Sequence, residues 1–131
     1  MQRCVGFKFL SRDLWLMYNG SAMFDLYDRF ATLEELFEKT LKNDRESVAR
    51  LYEVFLILAE NGEAARKYMG YDTAPLPDLD ELKTLATAEC IAKMRDAVVA
   101  AIAAGLGREV SNEAEEIDLG LQELNAKKKH T

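Results

Sequence analysis

The sequence predicts a mainly α fold: a short N-terminal β-hairpin followed by a compact helical domain of about four to five helices. Three observations predict it. Val5, Phe7 and Phe9 alternate with Gly6 and Lys8, the period of two of a half-buried strand. From Met23 onward the apolar residues recur instead at roughly the 3.6-residue period of a helix face. Helix entry signals stand before these stripes, at Thr32 with Glu35, at Asn43-Asp44 and at Asp78.

The hairpin is expected over residues 4–18. Ser11-Arg12-Asp13 reads as its polar turn, and Leu14-Trp15-Leu16-Met17-Tyr18 as its second apolar strand. A lone hairpin is marginal in water, so its apolar face must pack on the helices. Asn19-Gly20 ends it, and Ser21 offers a cap for a helix over about 21–30, with Met23, Leu26, Tyr27 and Phe30 on one face. A capping box at Thr32 and Glu35 opens a helix over about 33–42, its apolar face made by Leu33, Leu36, Phe37 and Leu41.

Val48, Leu51, Tyr52, Phe55 and Leu58 mark a helix over about 45–60. Its run Phe55-Leu56-Ile57-Leu58-Ala59 is apolar all round, which makes it the most buried. Asn61-Gly62 reads as its C-terminal stop. A short helix over 63–69 closes at Gly70, and Pro75 and Pro77 mark a loop. Asp78 then caps the longest expected helix, about 79–105, which meets no breaker before Gly105 and Gly107. Gly105-Leu106-Gly107 reads as a hinge. These elements make one globular domain over 1–107, and 108–131 is a polar C-terminal tail expected to be mobile.

Composition narrows the function. The 131 residues are 49% apolar and 31% charged, a globular balance sufficient for one domain. The net charge of -6 argues against a general nucleic-acid binder, which needs cations to neutralise phosphates. Cys4 and Cys90 read as ordinary reduced thiols. No apolar stretch is long enough for a signal peptide or a membrane span, so the chain is expected to stay where it is made.

No catalytic, cofactor or metal site is expected. The one histidine, His130, lies in the terminal tail. Asp25 with Asp28, and Glu34 with Glu38, sit one turn apart, but the histidine partners of a helical metal site are missing, and solvated helix faces account for them. The glycines form neither a P-loop nor a dinucleotide fingerprint. Trp15, Tyr18, Phe24, Tyr27, Phe30 and Phe37 lack an interleaved basic stripe and read as core, with Trp15 the one whose face is open to question.

The order of elements and three local patterns resemble the tail assembly chaperones of long-tailed, siphophage-type bacteriophages and prophages. A hairpin leads into Tyr18-Asn19-Gly20-Ser21-Ala22-Met23-Phe24-Asp25-Leu26, similar to that family's aromatic-Asn entry into its first helix, although Gly20-Ser21 stands where apolar residues are more usual. Leu51-Tyr52-Glu53-Val54-Phe55-Leu56-Ile57-Leu58-Ala59 resembles its central apolar helix, and a Pro-containing loop leads to a long helix and a polar end. The resemblance runs from about Phe7 to Gly107.

It implies binding of the tape-measure protein, a long helical chain kept soluble until tail-tube subunits assemble around it. It further implies contact with the tail tube protein, homo-oligomer formation and a place in the cytoplasm of the bacterial host. It also implies a longer product made by ribosomal frameshifting, for which the Lys127-Lys128-Lys129 codons are the expected slippery site. Candidate partner-binding residues are Met23, Tyr27, Tyr52 and Phe55 on the helices, and Ile117, Leu121 and Leu124 on a weak amphipathic stripe in the tail.

The rival reading is a small phage or bacterial regulatory protein that binds protein or nucleic acid. Its basic candidates, Arg45, Arg50, Arg66 and Lys67, are scattered among acids.

Overall fold

The computed structural model describes residues 3–107. The expected tail with Ile117, Leu121, Leu124, the lysine run and His130 lies outside them. Two antiparallel strands, β1 (Cys4–Phe9) and β2 (Arg12–Met17), precede five helices among the described residues: α1 (Gly20–Tyr27), α2 (Leu33–Thr40), α3 (Arg45–Tyr68), α4 (Leu79–Leu85) and α5 (Ala88–Gly105). The expected fold class is the observed one.

The register pairs Cys4 with Met17, Gly6 with Trp15, Phe7 with Leu14, and Phe9 with Arg12. The turn is therefore Leu10-Ser11, and Arg12 and Asp13 belong to the second strand rather than to the turn as expected. Leu10 adopts φ 57, a left-handed conformation that strains a residue with a Cβ. The pleat sends Phe7, Phe9, Leu14 and Leu16 inward to the core, where the Phe7 and Phe55 rings meet edge to face at 5.2 Å. Gly6, Lys8 and Asp13 are exposed on the other face, where Trp15 is half-buried.

Helices α3 and α5 approach the second strand and the residue that follows it closely enough to touch backbone. A Cβ on Gly62 would lie 1.9 Å from the Trp15 carbonyl oxygen. One on Gly105 would lie 2.2 Å from that of Tyr18. Only residues without a side chain fit at these two points. This corrects two expectations. Asn61-Gly62 does not stop the helix, and the separate helix at 63–69 is the continuation of α3, which runs unbroken to Tyr68. Gly105 is not part of a hinge but the last residue of α5, packed on Tyr18. The glycines that follow helix ends with left-handed backbone are Gly70 (φ 86) and Gly107 (φ 87).

The expected long helix at 79–105 is divided. Ala86 turns extended (ψ 127), and the Thr87 hydroxyl accepts from the Cys90 amide at 3.2 Å to start α5. A threonine with an acid two residues on is a workable N-cap, and it interrupts the helix without a glycine or proline. The first helix opens at Asn19, whose Oδ1 accepts from the Ala22 amide at 2.9 Å, not at Ser21, and it ends at Tyr27. Thr32 caps α2 as expected, but the Glu35 carboxylate accepts from the Ala31 amide and not from that of Thr32, so the expected box there is not closed; Asp44 caps α3, and Asp78 with Glu81 forms a full capping box on α4.

Polar contacts tie the connecting segments to this frame. The Glu63 carboxylate accepts from the Ala74 amide at 2.9 Å, holding the Pro-containing loop on α3. Arg12 reaches Glu81 at 2.5 Å, joining the turn end of the hairpin to α4. The Arg95 guanidinium donates to the Lys42 carbonyl at 2.7 Å, joining α5 to the end of α2.

Gly62→Ala is expected to cost about 3 kcal/mol, because backbone rather than a flexible side chain must move to admit the methyl group. Urea unfolding with an unchanged m-value measures it. Leu10→Gly is expected to shift the same transition the other way by about 1 kcal/mol, by relieving the left-handed turn.

Candidate functional site

Helix α1 carries one buried and one open side. Ala22 and Leu26 are buried, and Met23 packs partly against the core. Phe24 and Tyr27 point away and are 74% and 51% exposed. They stand at i and i+3, so they are neighbours on one helix face. Two adjacent large aromatic side chains left in water form an apolar patch that an amphipathic partner would cover. Asp28 beside them is exposed and Asp25 half-buried, which keeps the patch edged with charge. Tyr27 also leans on Tyr18, and burial together with that neighbour pushes the Tyr18 hydroxyl up to about 12.

The sequence candidates thus separate. Met23 and Tyr27 lie on or beside this patch. Tyr52 and Phe55 do not: they are 6% and 0% exposed and belong to the core, so neither offers contact area to a partner. The helix that carries them is covered by the hairpin on one side and by α1 and α2 elsewhere. Phe24 was missed, having been assigned to the core with the other aromatics. Its position was informative, because it falls off the stripe Met23, Leu26, Tyr27 and Phe30.

A second locus lies over the outer face of the hairpin. Trp15 lies across Gly6 on the opposite strand, its ring 3.4 Å from where a Gly6 Cβ would be. The Arg66 guanidinium stands 5.2 Å from the Trp15 ring centre and 5.0 Å from the Tyr71 ring centre, within cation–π reach of both. One terminal nitrogen, Nη2, donates to the Asp72 carbonyl at 2.9 Å. Between the hairpin face and residues 72–74 runs an open groove of about 760 Å³, lined among others by Lys8, Arg12, Asp13, Trp15, Arg66 and Thr73.

The thiols Cys4 and Cys90 are free, and burial raises both above the ordinary range, which disfavours the reactive thiolate. No group of three or more His, Cys, Asp or Glu side chains is gathered in a metal-holding arrangement among the described residues. Nor is any helix among them long and apolar enough to cross a membrane. Of the basic residues that a nucleic-acid reading needs, Arg50 is paired with Glu46 at 3.1 Å and Glu53 at 3.4 Å, and Arg66 lies against the Trp15 and Tyr71 rings. Comparison of the chain with known protein families, curated proteins and solved structures gives no match.

Proposed function

We propose that this protein is a tail assembly chaperone without catalytic activity, which binds the tape-measure protein and keeps it soluble while the tail tube assembles. The observation that carries this reading is the Phe24 and Tyr27 patch on α1, two exposed aromatics on a helix whose other side is anchored in the core. The resemblance of the sequence supplies the identity of the partner.

The physics is that of an aromatic hot spot. Aromatic side chains bring large apolar area with little rotamer freedom to lose, so they dominate contacts with an amphipathic partner helix. A long helical chain offers such a face repeatedly, and many copies of a small domain cover it. The net charge of -6 then keeps the coated chain soluble by mutual repulsion. Copies associate along the partner in the host cytoplasm, and the tail tube protein displaces or joins them.

The test expresses the gene in its natural DNA context with an N-terminal tag and identifies co-purifying chains by mass spectrometry. A very long, helical partner is expected, and Phe24→Ser/Tyr27→Ser is expected to lose it while the far-ultraviolet melt stays within a few degrees of the parent. Absence of such a partner, or its retention by the double variant, contradicts the proposal. A DNA fragment retarded by the purified protein moves the weight to a regulatory role.

A further inference from the structure

Between the end of α3 and the start of α5 the chain is fastened to the body at few points. Residues 71–78 form no regular structure, and from Asp72 to Pro77 the backbone makes no backbone–backbone hydrogen bond among the described residues. Charged side chains of α3 hold this run instead. The Glu63 carboxylate accepts from the Ala74 amide at 2.9 Å, and the Arg66 guanidinium donates to the Asp72 carbonyl at 2.9 Å. Helix α4 follows and is exposed except at Leu82, which is fully buried, and Glu81, which pairs with Arg12 of the hairpin. Pro77 is buried, and Leu76 packs partly against the core.

The charged fastenings are incompletely satisfied. Glu63 is only 8% exposed, and its Oε2 is shut off from solvent with no donor among the described residues. Arg66 Nε and Arg12 Nη1 are likewise enclosed without an acceptor there. A polar atom buried in this way carries a desolvation cost that hydration returns once its cover lifts. Lifting the segment breaks the bonds to Ala74 and Asp72 and the Arg12–Glu81 pair, but it rehydrates these stranded atoms. The apolar surface lost with it is that of Leu82, Pro77 and part of Leu76. This is small beside the core that the hairpin, α3 and α5 enclose, so opening here costs less than unfolding the domain.

Both ends of the segment are places where the chain already turns. Gly70 has left-handed backbone (φ 86) just after the Met69 amide has closed α3 on Ala65. At the other end Ala86 is extended (ψ 127), and the Thr87 cap starts α5 with no help from α4. Helices α3 and α5 therefore keep their own ends when the chain between them moves.

We propose that residues 71–86 are a strap that lifts from α3 and the hairpin as one unit, turning at Gly70 and Ala86, while the hairpin, α3 and α5 stay closed. The open form uncovers Leu82 and the apolar surface beneath it, together with Glu63 and Arg66. The strap is independent of whatever binds the α1 patch.

Native-state amide hydrogen exchange of the full chain in low urea tests this. Ala74, Leu82 and Ala86 are expected to share one protection factor, at least about a hundredfold below that of Leu58, and one small urea dependence. Arg12→Gln and Glu81→Gln each break the ion pair from one side, and the second keeps an oxygen for the Asp78 amide. Each is expected to speed exchange at Ala74 by about fivefold, although Ala74 is bonded to Glu63 and to neither altered residue. Unchanged exchange at Ala74 in both variants shows local fraying rather than a unit and overturns the proposal. Exchange of Ala74 with the same protection as Leu58 overturns it too, because the segment then opens only with the whole domain.

Discussion

Helices α3 and α5 press their backbones against the second hairpin strand and its exit, and the rest of the fold is arranged around that approach. It is possible only at Gly62 and Gly105, where any side chain would overlap the carbonyls of Trp15 and Tyr18. Two glycines on two helices meet positions three residues apart on one stretch of chain. A two-stranded hairpin has too little apolar surface to persist alone. Here it lies against helices at backbone distance, and Phe7, Phe9, Leu14 and Leu16 are removed from water by the helices beneath. The hairpin is an integral layer of the core rather than an appendage.

The same contact generates the candidate groove. Gly62 sits under the Trp15 carbonyl, and Arg66 follows one helical turn later on the same side of α3. That turn brings the Arg66 side chain to the indole, and its bond to the Asp72 carbonyl helps hold it there. Glu63, next to Gly62, then holds Ala74 and with it the wall that faces the hairpin. The groove, the stacked cation and the anchored loop are consequences of one close approach. The α1 patch has a different origin. Asn19 starts that helix immediately after the hairpin, in a phase that turns Leu26 inward and leaves Phe24 and Tyr27 outside.

Much of this was legible from residue order. Alternation placed the first strand and an apolar run with aromatics the second, and the caps at Thr32, Asp44 and Asp78 placed three helix starts, because these signals are local and the chemistry that satisfies them lies within four residues. Gly62 was not legible. A glycine after asparagine serves equally as a helix stop or as a point of close approach, and which it is depends on Trp15, far away in sequence. Thr87 failed for a related reason: its hydroxyl acts as a cap only because Ala86 turns extended before it, and no breaker in the sequence marks that turn. Tyr52 and Phe55 were placed correctly on the apolar stripe of α3, but a stripe does not say whether a hairpin covers it. Phe24 was overlooked because aromatic content was read as core content. Its helical phase pointed outward.

If the backbone approach at Gly62 and Gly105 is what holds the domain together, the hairpin cannot open while the helices stay closed. Native-state amide hydrogen exchange of the unmodified chain tests this directly. The amides of Phe7, Leu14 and Leu16 are then expected to exchange through the same opening as those of Leu58 and Ala101, with one free energy and one denaturant dependence. Hairpin amides that exchange through a smaller opening, insensitive to denaturant and well below that of α3, would contradict the account.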